Sequence, residues 1–369
     1  NSIRFDQAQN ISPPDHEHYY NGDSLTIDVV AVRTGAALTG RPLMHYKLQR
    51  NTLFTSAMRT ANLPDSGVVV CDSAFTPAGT WVTDRFAADL PDTGFLFPGD
   101  VLHYYFSAED AIGGFGGTDP YTSTLPADIE GYGDFSDPMA WSTTYTVNGL
   151  PSVVPDPLNP GEYVAPTFIF WDDAESQTRG TKNEWYNAFA NLGWDKGVDY
   201  DVYYGRAPSS GIGSGISSRA STNQLGWYDE LVYSSAYLTT TTFSNGDWDN
   251  GGEDDITRLE NWLDLTNKDM FITGNGVCFD LNQSGAATVN FLNNRMGVTF
   301  NANTHRDLLG GQLAPRVLAA GSNPVLATIT SWIAFGGCPQ LWDFDLVTPS
   351  GCTRLAEFAN ASGTPGGYP

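Results

Sequence analysis

The chain has 369 residues, too many for one ordinary core, so two domains are the default expectation. Asp and Glu outnumber Lys and Arg 42 to 18, for a net charge of −24, and a surface this acidic repels nucleic acid and anionic lipid and sets both aside as partners. Hydrophobic residues make up 41% and aromatics 13%, too much for a disordered chain, while no apolar run approaches the length of about 18 residues that marks a membrane span.

The chain opens NSIRFDQAQN, polar from its first residue, as expected of a mature or excised segment. His16-Glu17-His18 is too short to place three metal ligands and reads as part of a flexible N-terminal segment. Residues 1–150 then read as β. SLTIDVVAV (24–32), LMHYKLQR (43–50), GVVVCDSAF (67–75), TWVTDRFAADL (80–90) and DVLHYYFSAED (100–110) are strand-like runs separated by Gly, Pro, Asn or Asp, the pattern of a sandwich. In the last of them Leu102, Tyr104 and Phe106 share one face, and Val101, His103 and Tyr105 the other. The Gly- and Pro-rich stretch that follows, to about residue 138, reads as a long loop. Residues 151–165 hold four prolines and no periodicity, and read as a stiff interdomain connector.

From residue 166 to 369 strand and helix alternate, which implies an α/β domain with a mainly parallel sheet. TFIFWDD (167–173), YDVYYG (200–205), a stretch within LGWYDELVYSSAY (225–237) and DMFITGNG (269–276) are the strands. The helices are TKNEWYNAFANLGW (181–194), with Trp185, Ala188, Phe189 and Leu192 at helical spacing; DDITRLENWLDLTN (254–267), with Ile256, Leu259, Trp262 and Leu263; and AATVNFLNNRMGV (286–298). PVLATITSWIAF (324–335) and GCTRLAEFA (351–359) are further strand candidates.

The order FIFWDD, FANLGWDKGVDYDVY, DELVYSSAY, RLENWLDLTNKDMFITGNG, VNFLNNRMGVTF and CPQLWDFDLVTPSG resembles the flavodoxin-like, class I glutamine-amidotransferase-like domains of large secreted bacterial proteins, over roughly residues 165–360. GDVLHYYFSAEDAIGG is similar to the Ig-like or fibronectin-III-like sandwiches that accompany them. The resemblance implies a multidomain β plus α/β protein: an N-terminal Ig-like β-sandwich and a C-terminal flavodoxin-like three-layer domain.

That resemblance places the chemistry at the strand–turn–helix of residues 269–291. Amidotransferases carry a Cys between two glycines there, at a helix N-terminus that lowers its pKa. Here Thr273-Gly274-Asn275-Gly276-Val277 puts an amide in the nucleophile position. Cys278, His305 and Asp307 are a thiol, imidazole and carboxylate that echo the family's set, but His305 and Asp307 follow the elbow too soon. The caspase-like peptidases of secreted systems need a His where this chain has YSSAY and a Cys where it has TGNG. No complete catalytic set is recognisable.

Ligands of open α/β sheets bind beyond the strand carboxyl ends. Asp172, Asp173, Ser234, Ser235 and Asn275, with Tyr237, fall on that rim, where paired acids suit Mg²⁺ or Ca²⁺ or cap loops instead. DWDNGGEDD offers Asp247, Asp249, Glu253 and Asp255 as an oxygen-rich calcium loop, although its twelfth position is Arg258; the alternative is an acidic helix start. Cys338 and Cys352 bound a short span that a disulfide would close, contributing roughly 3 kcal/mol. Cys71 and Cys278 read as buried thiols. The function expected is a non-catalytic structural or interaction module of an extracellular or cell-surface protein, engaging protein partners or copies of itself. The alternatives are a divergent hydrolase working at the rim, and a glycan-binding adhesin using some of the ten Trp and 17 Tyr.

Overall fold

The computed structural model describes residues 3–6, 15–18, 24–31, 37–59, 64–75, 81–89, 96–111, 121–126, 144–173, 182–204, 215–236, 238–240, 242–245, 254–303, 316–319, 329–333 and 344–359. Its first part is built of β1 (Ile3–Asp6), β2 (Asp15–His18), β3 (Ser24–Ala31), β4 (Leu43–Gln49), β5 (Ser66–Val70), β6 (Asp72–Phe75), β7 (Trp81–Asp89), β8 (Val101–Asp110), β9 (Tyr121–Leu125) and β10 (Tyr145–Gly149). One sheet runs β1-β3-β7-β6; the other runs β2-β10-β8-β4-β5, with β9 also on β8. Every pairing is antiparallel except β10 with β2.

The two sheets share one apolar cluster. Ile27, Val29 and Ala88 come from the first sheet, and Met44, Tyr46, Leu48, Leu102, Tyr104 and Phe106 from the second. The alternation expected in β8 is therefore real, with the even-numbered side chains inward. Its other face is covered as well: His103 and Tyr105 are also buried.

Three sequence expectations need correction here. GVVVCDSAF is two strands in different sheets, split at the fully buried Cys71, because the chain crosses from one sheet to the other there. The Gly- and Pro-rich stretch expected to be a loop contains β9. The His16-Glu17-His18 segment is strand β2, held by parallel pairing to β10.

Residues 151–165, read from sequence as a connector, contain a hairpin, β11 (Val154–Pro155) against β12 (Tyr163–Val164). Its turn is closed by Asp156, whose carboxylate accepts from Leu158 N and Asn159 Nδ2.

The parallel sheet is built of β13 (Phe168–Asp172), β14 (Tyr200–Tyr204), β15 (Glu230–Ser234) and β16 (Asp269–Thr273), in the order β14-β13-β15-β16. The helices are α1 (Lys182–Asn191), α2 (Ile216–Arg219), α3 (Thr222–Leu225), α4 (Asp255–Leu263), α5 (Val277–Gln283) and α6 (Ala286–Asn294).

α1 lays Trp185, Tyr186 and Phe189 on one face of the sheet, against Phe168, Phe170 and Val202. Ala188 and Leu192, expected in that stripe, are exposed. The other face packs Ile169, Trp171, Tyr203 and Tyr233 against Leu225, the α4 residues Ile256, Leu259 and Trp262, and Leu281, Phe291 and Leu292. β13 is buried along its whole length because helices cover both faces. β17 (Val298–Ala302) pairs antiparallel with β20 (Leu346–Pro349), and β18 (Arg316–Ala319) pairs antiparallel with β19 (Ser331–Ile333) and β21 (Ala356–Ala359). No described helix is long and apolar enough to cross a membrane.

Candidate functional site

Register assembles the rim. Asp172 lies opposite Ser234, and Ser234 opposite Thr273, so β13, β15 and β16 end level. Strand alternation aims Asp172 and Ser234 toward the α1 side, where Trp185 Nε1 donates to Ser234 Oγ at 3.2 Å. Asp173 lies on the opposite side. The Tyr233 hydroxyl donates to its Oδ2 at 2.7 Å and lies 3.2 Å from Thr242 O. Asp172, Asp173, Ser234 and Ser235 are all buried. The five rim residues named from sequence thus stand at one edge, with Asp172 on the α1 side of the sheet and Asp173 bonded on the other. Among the described residues no group of three or more His, Cys, Asp or Glu could hold a metal.

The elbow follows β16 directly. Asn275 N donates to Ala236 O at 2.8 Å, and Ser235 N to Thr273 O at 3.0 Å, so the chain after β15 is laced onto it. Both glycines are required by this close approach. A Cβ on Gly274 would meet Ser235 Oγ at 1.9 Å, and one on Gly276 would meet Thr239 Cα at 2.9 Å and Leu238 O at 3.0 Å. Asn275 Oδ1 and Ser235 Oγ are buried and have no hydrogen-bond partner among the described residues.

α5, which begins at the elbow, presents amides of the kind that stabilise a thiolate in thiol enzymes. Here they are occupied: Asp345 Oδ2 accepts from Cys278 N at 2.7 Å and from Phe279 N at 3.2 Å. Burial, reinforced by the Asp345 charge, pushes the Cys278 thiol up to about 12. Burial likewise raises the Asp345 carboxyl to about 6, against the pull of the two amides. The shift at Cys278 is opposite in direction to the one a thiolate nucleophile needs.

His305, Asp307, Asp247, Asp249, Glu253, Tyr237 and Cys338 lie outside the described residues. Asp255, the described member of the supposed calcium loop, is fully buried at the start of α4. Its carboxylate accepts from Ser217 N at 2.8 Å and Ser244 N at 3.1 Å, tying the start of α2 and the segment at Ser244 to α4. Burial raises its pKa, and those bonds oppose the rise. Asp254 beside it is the α4 cap, accepting from Thr257 N at 2.8 Å. Cys352 is exposed. It sits over Gly297, where a Cβ would lie 3.1 Å from the Cys352 Cβ.

Sequence reading missed two sets of polar groups. Asp201 and Asp280 are buried acids. Asp201 accepts from the Tyr228 hydroxyl, and Asp280 from Thr242 N and Oγ1 at 2.8 and 2.7 Å. An aspartate inside the strand run YDVYY was the available signal for the first. The second set is in the antiparallel sheets, where His45 Nε2 lies 2.8 Å from Ser107 Oγ and its ring stacks on Tyr105 at 4.5 Å. Burial lowers the His45 pKa, and its Nδ1 has no hydrogen-bond partner among the described residues. A serine nucleophile also needs an oriented base and free donors for the oxyanion. Ser107 stands mid-strand opposite both Leu43 and Thr124, where main-chain amides serve the ladder. No protein-family profile matches the chain, and no curated protein matches it.

Proposed function

We propose that the chain is a non-catalytic structural or interaction module of a secreted or cell-surface protein, with an Ig-like sandwich followed by a flavodoxin-like, amidotransferase-like domain whose elbow is inert. The strand order β14-β13-β15-β16 supports the flavodoxin-like reading, because numbered from β13 it runs 2-1-3-4. The single observation that carries the functional reading is Asp345. Its carboxylate fills the helix end where a reactive thiolate would draw stabilisation, and no thiol stands between the two glycines. The acidic surface and the exposed Val68, Val70 and Phe271 on edge strands fit a module that meets other chains.

The test is to treat the full chain with covalent probes for serine and cysteine hydrolases, and in parallel to follow its sedimentation over a wide concentration range. The expected outcome is no stoichiometric adduct, with association seen only by sedimentation. A one-to-one adduct that disappears in Cys278→Ala or Ser107→Ala would establish the hydrolase reading instead.

A further inference from the structure

The passage from sandwich to α/β core leaves no slack chain. Gly149 is the last residue of β10, and Leu150, the next residue, is fully buried in the α/β apolar cluster. Beyond Pro151, the Ser152–Val153 dipeptide is gripped from both sides. Ser152 N donates to Asp201 Oδ2 of β14 at 2.7 Å, and the same oxygen accepts from the Tyr228 hydroxyl. Val153 O accepts from Asn51 Nδ2 of the sandwich at 2.8 Å.

Asn51 is itself held. Its main-chain N donates to Asp100 Oδ1 at 2.6 Å, and Nδ2 also lies 3.0 Å from Pro98 O. Asp100 is fully buried and pairs with both terminal nitrogens of Arg59, and its Oδ2 accepts from Phe97 N at 2.9 Å. The fit is close enough to exclude a side chain at position 99. A Cβ on Gly99, whose φ is +75°, would meet Val153 O at 2.3 Å. Two outer contacts add to this one: Thr52 Oγ1 lies 3.3 Å from Tyr163 OH of the hairpin, and β2 runs beside β14.

We infer that the Ser152–Val153 dipeptide is a two-sided strap, held by Asn51 from the sandwich and Asp201 from the α/β core, that makes the two halves one rigid body. Residues 151–165 are then not a tether. Their hairpin is an exposed projection from a fixed joint, with Leu158 at its turn 85% exposed. Buried hydrogen bonds to charged groups suit such a joint, because opening it strands their donors and acceptors away from water. The inference does not depend on whether the rim is catalytic.

Spin labels at Val68→Cys in the sandwich and Leu192→Cys in the α/β half, both exposed positions, test it in the full chain with Cys278→Ser, Cys338→Ser and Cys352→Ser. The strap predicts one narrow distance distribution. It also predicts that Asn51→Ala with Asp201→Ala widens the distribution at least twofold and speeds exchange of the Ser152 amide roughly a hundredfold while both halves keep their secondary structure. A broad distribution in the parent chain would overturn the inference, and this holds even where the double variant fails to fold. A distribution that stays narrow in a folded double variant would overturn it too. Asn51→Ala alone separates the strap from loss of the α/β core, because it leaves the Asp201 bonds in place and should still broaden the distances.

Discussion

A methyl group added at Gly274 would land 1.9 Å from Ser235 Oγ and 2.7 Å from Val277 Cγ2, so the elbow tolerates no side chain there without movement. Gly274→Ala is expected to destabilise the chain by about 1–3 kcal/mol, measured by denaturant unfolding, and Ser235→Gly in the same chain should recover part of the loss. Ser235→Ala alone should be neutral or stabilising by about 1 kcal/mol, because it removes a buried hydroxyl that has no hydrogen-bond partner among the described residues. A loss of more than that would show that the hydroxyl has a partner. Gly276→Ala should be the worse of the two glycine substitutions. Its new Cβ meets main-chain atoms of Leu238 and Thr239, which cannot swing aside as a side chain can.

α5 depends on a residue far away in the chain. Asp345 caps its first amides across 67 positions, and Asp345→Ala should cost about 0.5–2 kcal/mol, as removal of a helix cap does. The comparison with Asp345→Asn carries a pH signature. The Asp345 carboxyl is raised from 3.8 to about 6 in the folded chain, so the folded form binds the proton more tightly than the unfolded form. Its contribution is fully present below about pH 4 and is lost as pH rises through about 6. The advantage of the parent chain over the Asp345→Asn variant in thermal melts should therefore be largest near pH 4 and shrink toward pH 7; a constant difference would contradict the assignment.

At this scale the limits of sequence reading have physical causes. β13 was legible because a buried parallel strand is an apolar run with sharp ends, β16 because Met270, Phe271 and Ile272 form an apolar run stopped by a Gly turn, and α4 because Ile256, Leu259 and Trp262 keep a helical period over more than one turn. α2 and α3 have four residues each, too few to show any period, and β11 and β12 have two. The break at Cys71 was hidden because both flanking pieces stay extended. The rim could be named from sequence because it needs only strand ends. The Asp345 cap and the His45–Ser107 contact could not, because they join residues 67 and 62 positions apart through tertiary folding.

The whole molecule carries −24 charges, and its carboxyls dominate its response to pH and salt. Burial raises Asp201 and Asp255 above their usual range, as it does Asp345. Each such group binds its proton more tightly when folded, so the stability it contributes is present at acid pH and lost as pH rises through its folded value. His45 works the other way: its folded pKa lies below 6.5, so stability is lost as pH falls below 6.5. The carboxyls outnumber it, and acidification also reduces the net repulsion of the surface. The Tm should therefore be higher at pH 5 than at pH 8, and should rise with added salt at pH 8 as repulsion is screened. An optimum at pH 8, or melting insensitive to salt, would contradict this reading of the charge.

An elbow without an activated nucleophile shows itself in the rate of iodoacetamide labelling at Cys278, followed by mass spectrometry from pH 6 to pH 10. A thiol held at about 12 is ionised to only about one part in ten thousand at pH 8, against about a quarter for a free cysteine of pKa about 8.5. Labelling of Cys278 is expected to be slower than that of exposed Cys352, rising about tenfold per pH unit with no plateau. Rapid labelling at Cys278 that levels off below pH 8, and that slows when His305 is replaced, would contradict it.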